Sequence, residues 1–292
     1  MNKFLKKLLS IPGLNFLVKK AINIKVESEA NEISTHFVSY LKPQIAFTQE
    51  LRDTVLNIRH NVYCEELAFE ESKPDKKETD EFDKHSSFCM IEHKPTQEFA
   101  GCVRLVESNN QEELLPIEAF CSHAITDENI HPKNFKRSEI CEISRLAVKA
   151  QFRRRQSDKF EGAATGVINE STYSEIELRC FPFIAIGLYM SAASLAMDRG
   201  LHNVFVMMEP RLARSMKFLG INFKQLGPAI EYHGKRAPYY INPDIFYKSL
   251  KPGFKSLYDS IEKDIYGQLA ARKKEIIKNK ADSQNSSIWL PN

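Results

Sequence analysis

A chain of 292 residues suffices for one large domain or two small ones, and 42% apolar with 27% charged residues is the balance of a soluble globular protein. The formal net charge of only +3 gives no electrostatic case for nucleic acid, so no nucleic-acid partner is expected. No run of about 18 apolar residues occurs, so no transmembrane helix is expected either.

The chain opens with Phe4-Leu-Lys-Lys-Leu-Leu9 and Phe16-Leu-Val-Lys-Lys20, broken by Pro12-Gly13. Lysines interrupt the apolar run and no small-residue cleavage site follows, which argues against a secretory signal. Residues 1–42 read as an amphipathic arm. Residues 1–22 fit either a helix lying on a membrane surface or one packed on the protein itself. The expected location is cytoplasmic, with a peripheral position on the inner face of the membrane if the arm is interfacial.

From Gln49 to Glu70, the spacing of Leu51, Val55, Ile58 and Val62 follows a helical period, with Arg59 and Tyr63 one turn apart. A charged, exposed loop spans Glu71 to Lys84. Phe88–Ile91 and Phe99–Val106 read as strands of a hairpin, joined by a polar link that carries Pro95. A short helix fits Leu114–Phe120, and Ile140–Val148 reads as a third strand. Residues 151–177 are polar and lack periodicity, which suggests an insertion.

Phe183–Met197 is apolar on most faces, as in a buried helix, and Gly200 suits its end. Asn203–Met208 is a short, continuously apolar strand. Pro210 suits the start of the next helix and Gly220 its end. Phe223–Leu226 and Ala229–Tyr240 read as strands, with His233-Gly234-Lys235 as the turn of a hairpin. A helix from Phe254 to about Asn279 carries a stripe of Tyr258, Ile261, Ile265 and Leu269, and the last ten residues are polar and loose. This order implies a mixed α/β sheet with helices on both faces.

Six cysteines, Cys64, Cys89, Cys102, Cys121, Cys141 and Cys180, form no C-x-x-C pair and no zinc-type spacing, so they read as buried reduced thiols and no metal is expected. Cys141 has no histidine close in sequence and reads as inert rather than nucleophilic.

Charged residues recur beside the apolar runs: Arg59-His-Asn-Val-Tyr63, Glu78-Thr-Asp80-Glu-Phe-Asp83, Gly101-Cys-Val-Arg104-Leu105 and Glu142-Ile-Ser-Arg145-Leu146. A charge next to a core strand needs a partner, because an unpaired buried charge is costly. The pattern therefore points to a polar cleft. In order, these motifs resemble those of the acyl-homoserine-lactone synthases. The longer chain and the stretch Met208-Glu-Pro-Arg-Leu-Ala-Arg-Ser-Met-Lys-Phe-Leu-Gly220 look more like their relatives, the long-chain N-acyl amino acid synthases and exosortase-associated acyltransferases. The resemblance covers roughly residues 43–245. It implies a GNAT-like fold, mostly antiparallel with a splayed pair of central strands. The implied division is residues 1–42 as arm, 43–250 as catalytic domain and 251–292 as C-terminal helix and tail.

By resemblance, Arg59, Asp80, Asp83, Arg104, Glu142 and Arg145 match the family's charged cluster, and Tyr63 stands where those enzymes carry an aromatic residue. Phe69 falls where lactone synthases usually place tryptophan, which leaves the amine open and argues mildly against S-adenosylmethionine. The implied donor is an acyl-phosphopantetheine thioester on an acyl carrier protein or on CoA, with no resident cofactor. Lys149-Ala-Gln-Phe-Arg-Arg-Arg-Gln156 has no glycine to cradle a CoA pyrophosphate on backbone N–H groups, which favours the carrier protein. Arg153, Arg154 and Arg155 would meet its acidic surface, or form a plain solvated loop.

The implied reaction is attack of a small amine on the thioester. Glu142 would be the general base, backbone donors around Leu146 to Val148 would hold the oxyanion, and Arg145 would bind an amino acid's carboxylate. Phe181, Phe183, Ile184, Leu188 and Phe205 would line the acyl channel, where each buried CH₂ contributes about 0.8 kcal/mol, though ordinary core is the simpler reading of all five. The arginines and aspartates fit equally well as an ion-pair network bracing the first helix. His233 reads as a solvated turn residue. Two alternatives remain: a lactone-forming signal synthase using S-adenosylmethionine, and a non-catalytic lipid- or membrane-binding protein. One geometric condition applies. Residues three apart on a regular strand face opposite sides, so Glu142 and Arg145 share a pocket only if a bulge falls at 143–145.

Overall fold

The computed structural model describes residues 32–153 and 183–286, with side chains to residue 279. The N-terminal segment 1–31, residues 154–182 and residues 287–292 lie outside it. So do the interfacial stretch 1–22, most of the 151–177 insertion, Arg154, Arg155, Cys180 and Phe181.

Helix α1 (32–40) leads into strand β1 (Leu41–Ile45). Helix α2 (Gln49–Arg59) is capped by Thr48, whose side chain accepts the Leu51 N–H, and continues as a π-helical turn, His60–Glu66. Strands β2 (Ser86–His93) and β3 (Glu98–Glu107) form the expected antiparallel hairpin. Helix α3 (Pro116–Cys121) precedes strand β4 (Ile140–Val148). Next come helix α4 (Ile184–Asp198), strand β5 (Asn203–Met208) and helix α5 (Pro210–Phe218). Strands β6 (Lys224–Gln225), β7 (Ile230–Glu231) and β8 (Lys235–Ile241) follow, then helices α6 (Pro243–Ser249) and α7 (Pro252–Ser286).

The sheet order is β1-β2-β3-β4-β5-β8-β6, with β7 paired to β8. All of these pairings are antiparallel except β4–β5. That parallel pair holds only from Ile140↔Asn203 to Glu142↔Phe205. Beyond Glu142, β4 runs on with no strand partner on the β5 side among the described residues, which is the splay the resemblance implied.

The first face of the sheet is one continuous apolar core. Cys89, Ile91, Val103, Leu105, Val204 and Val206 pack there against Leu188, Ala192 and Leu195 of α4 and Leu257, Tyr258, Ile261, Ile265 and Leu269 of α7. Phe37 of α1 is fully buried in the same core. The core therefore extends past both ends of the 43–250 segment. The second face carries two separate clusters. One sets Val55, Ile58 and Val62 against Phe88, Met90, Cys102 and Ala147. The other gathers Phe82, Val106, Leu115, Ile117, Ile140, Phe205 and Met207.

The hairpin expected over 229–240 is present: β7 and β8 flank a turn in which His233 and Gly234 have positive φ and the Tyr232 N–H donates to the Gly234 carbonyl. Two elements differ from the sequence reading. Helix α6 falls where the sequence shows little periodicity; the Asn242 side chain caps it. Helix α7 starts at Pro252 and runs to Ser286, into the stretch expected to be loose. Gly220 does end α5 as expected: its φ is +96°, and a Cβ there would lie 2.2 Å from the Ser249 carbonyl oxygen.

Candidate active site

The bulge that the argument required is present. Cys102 pairs with Ala147 and Arg104 with Ser144, so β4 carries one extra residue against β3, and Arg145 has φ +50°. The side-chain alternation records the slip. Cys141 and Ile143 point into the first-face core, and after the bulge Leu146 and Val148 do so. Ser144, whose Oγ accepts from Arg104 Nε at 3.1 Å, and Arg145 therefore both project to the second face, with Glu142. Gly101, the glycine of G-x-x-R-L, lies opposite: a Cβ there would sit 2.5 Å from the Ala147 carbonyl oxygen, so the close approach of β3 to the bulged strand excludes a side chain.

The carboxylates come from the chain between α2 and β2. Glu78 is anchored by its N–H on the Leu56 carbonyl at 3.1 Å. Asp80 caps the turn Glu81–His85, accepting from the Phe82 N–H, while Asp83 Oδ2 accepts from the Asp80 N–H at 3.0 Å. This reciprocal capping box accounts for the D-x-x-D spacing. It leaves Asp83 Oδ1 and Asp80 Oδ2 for arginine, while Asp80 Oδ1 accepts from both the Phe82 N–H and Arg104. Arg59 pairs with Glu78 through Nε and with Asp83 through Nη1 at 2.6 Å. Arg104 Nη1 pairs with Asp80 and, at 2.7 Å, with Asp83. Arg145 pairs with Glu70 at 2.9 Å, Glu78 at 3.2 Å and Asp80 at 3.3 Å. Burial pushes the Asp83 carboxyl up, but Arg59 and Arg104 outweigh it and hold the group below the usual aspartate value.

Glu142 stands apart from these pairs. It is 2% exposed, and one carboxylate oxygen accepts the Ile117 N–H of α3 at 2.6 Å. Burial raises its pKa to about 8, partly offset by that N–H and by the charges of Arg104 and Arg145. Tyr63 donates its hydroxyl to the Leu146 carbonyl at 2.7 Å and carries Arg145 over its ring at 5.6 Å. Burial raises the Tyr63 pKa, which keeps the phenol neutral. Because the Lys149 N–H donates to Ala100 on β3, the alternate residues Leu146 and Val148 direct their N–H groups toward the open side.

The structure thus brings Arg59, Tyr63, Asp80, Asp83, Arg104, Glu142 and Arg145 together. It does not assemble the acyl-channel set. Ile184 and Leu188 lie in the first-face core, with Phe183 at its margin, whereas Phe205 belongs to the second-face cluster beside Glu142. Adjacent strand residues alternate faces, so Phe205 and Leu188 cannot line one tube. Two roles are corrected. Arg145 already holds three carboxylates and is not free for a substrate's. Arg153 is 12% exposed and paired with Glu66, and burial lowers its pKa to about 10, so it is not an exposed docking residue.

Sequence reasoning missed Glu70 and gave no role to Glu78, although Glu78 opens the E-x-D-x-x-D motif. It also left His233 in solvent. His233 is 26% exposed, with its ring 5.5 Å from that of Phe69 and Nε2 3.6 Å from Glu70. Its sequence signal was the His233-Gly234 pair, which marks a turn and not what the turn packs against. Cys64, Cys89, Cys102, Cys121 and Cys141 are buried free thiols, and burial holds the Cys141 thiol far above its ordinary value. Among the described residues no group of three or more His, Cys, Asp or Glu side chains could hold a metal. No helix there is long and apolar enough to cross a membrane.

Residues 58–161 match the family model described as an acetyltransferase (GNAT) domain. Over those residues the chain is similar to a GNAT acetyltransferase domain. Solved structures are similar to it over more of its length. The AHL synthase LasI superposes with a TM-score of 0.51 at 13% identity, covering 72% of this chain and 96% of that one. TofI, crystallised in a ternary complex with an inhibitor and MTA, gives 0.50 at 15% identity, covering 69% and 91%. FeeM, an N-acyl amino acid synthase from uncultured soil microbes, gives 0.46 at 11% identity, covering 72% and 94%. No curated protein matches the sequence.

Proposed function

We propose that this domain forms an amide by moving a long-chain acyl group from a phosphopantetheine thioester to the amine of an amino acid or similar small molecule. The observation that carries the reading is Glu142. It is a buried carboxylate with a pKa of about 8, beside the opening between β4 and β5 and outside the ion pairs that hold its neighbours. A base works best when its pKa lies near the operating pH. Ionised Glu142, directly or through a water, takes a proton from the substrate ammonium. The neutral nitrogen then attacks the thioester carbonyl carbon. The Leu146 and Val148 N–H groups stabilise the oxyanion. Collapse breaks the C–S bond, and the sulfur leaves as a thiol with the second proton of the amine. Arg59, Arg104 and Arg145, with their carboxylates, keep the bulged strand in register.

The donor is read as an acyl carrier protein. After β4 the chain enters the tight turn Ala150–Phe152, in which Phe152 is fully buried, and no glycine follows before Arg153. That stretch supplies no glycine-lined cradle for a CoA pyrophosphate. Residues 1–22 remain the candidate membrane contact. Incubation with palmitoyl-loaded acyl carrier protein and all common amino acids, followed by mass spectrometry of extracted products, tests the reading. An N-palmitoyl amino acid without methylthioadenosine release is the expected result. Release of methylthioadenosine would mean lactone-type chemistry, and no thiol release would sink the acyltransferase assignment.

A further inference from the structure

With Arg145 engaged by three carboxylates, the site needs another group if the acceptor carries an acid. Glu70, Glu78, Asp80 and Asp83 are all committed to Arg59, Arg104 or Arg145. Arg236 is different. Among the described residues it makes no side-chain hydrogen bond or ion pair, and its Nε is fully buried with no partner. An unpaired guanidinium nitrogen held out of water is a standing cost, and such a group in a cleft marks a place for an anion.

Its position supports that. Ala237, Tyr239 and Ile241 of β8 pack into the first-face core, so Arg236 alternates onto the second face with Tyr240 and shares that side with Glu142. Strand β5 ends at Met208 opposite Ala237, so Arg236 lies just past its end, at the mouth of the gap left by the unpaired part of β4. Opposite it in the β7–β8 hairpin is Ile230, and Tyr232 and His233 fall in the turn that joins the two strands. Charge effects agree: the field of Arg236 acts on Tyr63, Tyr232, His233 and Cys121, and Tyr232 also responds to Glu142. One ring thus lies within electrostatic reach of both the base and the free guanidinium.

We propose that Arg236 binds the carboxylate of the acceptor, which makes the acceptor an amino acid rather than a simple amine. The proposal rests on the amide-forming reading above. A planar fork donates two parallel N–H bonds to a carboxylate and, from the hairpin, sets the nitrogen toward Glu142. The rings of Phe69 and His233, the latter in the hairpin turn, lie 5.5 Å apart.

A binding experiment tests this without turnover. The N-dodecanoyl forms of the common amino acids, and the matching primary amides, are titrated calorimetrically into the wild-type chain, Arg236→Gln and Arg236→Lys, with circular dichroism to confirm folding. At least one acid should bind the wild type ten-fold or more tightly than its amide. That preference should vanish in Arg236→Gln and survive in part in Arg236→Lys. No acid-over-amide preference in the wild type, or an undiminished one in Arg236→Gln, overturns the proposal. So does weaker binding of phosphopantetheine by Arg236→Gln with acid preference intact, which would mean a donor phosphate contact. Failure of acyl transfer in the carrier-protein assay would instead strike the amide-forming reading, and the two results are read separately.

Discussion

Arg137 and the trio Arg59, Arg104 and Arg145 are arginines withdrawn from solvent in one domain, and their donors are used differently. Arg137 donates Nη1 and Nη2 to the two oxygens of Glu118, both at 2.9 Å, Nε to Ser108 and Nη2 also to the Glu113 carbonyl. Every nitrogen has an acceptor, and the group ties the 109–139 segment to Ser108, the residue that follows β3. In the trio, the Nη2 atoms of Arg59 and Arg104 are buried with no partner among the described residues. The bracing guanidinium of Arg137 has every donor used. Arg59 and Arg104 brace the strand as well, but keep a donor beside a raised-pKa carboxylate that the described residues do not engage. The two clusters look alike in composition, and only the donor inventory separates them.

The largest expected effect breaks chemistry and spares the fold. Glu142→Gln keeps the side-chain shape and leaves the Ile117 N–H an acceptor, but it cannot take a proton. Acyl transfer should fall by about 10²–10⁴-fold, with the circular dichroism spectrum unchanged. A rate within a few-fold of wild type would remove Glu142 from the mechanism. Arg137→Ala should do the reverse. Breaking one partner of a buried pair strands Glu118 and costs about 3–5 kcal/mol of stability by urea unfolding, while activity per folded molecule holds. If it abolished activity at full stability, the contrast between the two clusters would collapse.

How much of this was readable in advance follows from which interactions are local. The elements β4 and β5 and the β2–β3 hairpin were legible because each is a short apolar run bounded by turn residues. The cluster Arg59, Asp80, Asp83, Arg104 was legible because charges beside core strands must find partners. Arg236 was not. Its significance lies in having no ion-pair partner among the described residues, and a missing partner in space leaves no trace in a linear pattern. Phe205 failed for a related reason: composition identifies an aromatic residue as buried, but only strand parity assigns its face. The bulge at Arg145 was derivable as a condition on the function, yet Ile-Ser-Arg-Leu carries no glycine or proline to announce it.

The pH dependence of stability sharpens the reading of Glu142 independently of any substrate. Its folded pKa of about 8 lies above an ordinary value of 4.5, so between those limits the folded chain keeps a proton that the unfolded chain has released. Its stabilising contribution is complete below pH 4.5 and is lost as pH rises toward 8. Relative to Glu142→Gln, the wild type should lose about 1.4 kcal/mol of unfolding free energy per pH unit across the middle of that window. Urea titrations of both proteins at pH 5.5, 6.5 and 7.5 measure the difference, in which the other titrating groups cancel. Parallel curves would mean that Glu142 is ionised throughout and already solvated.

The smallest expected effect concerns the strand edge. Tyr63→Phe removes the hydroxyl that holds the Leu146 carbonyl and leaves the ring under Arg145 in place. One hydrogen bond of this kind contributes about 1 kcal/mol, so stability should fall by that much and no more. The rate distinguishes what the bond is for. If Leu146 and Val148 supply the oxyanion donors, freeing that carbonyl loosens the peptide planes that aim them, and kcat should fall more than the stability loss suggests while KM holds. If the bond serves only packing, kcat stays at the wild-type value, and the oxyanion donors must be sought elsewhere along the open side of β4.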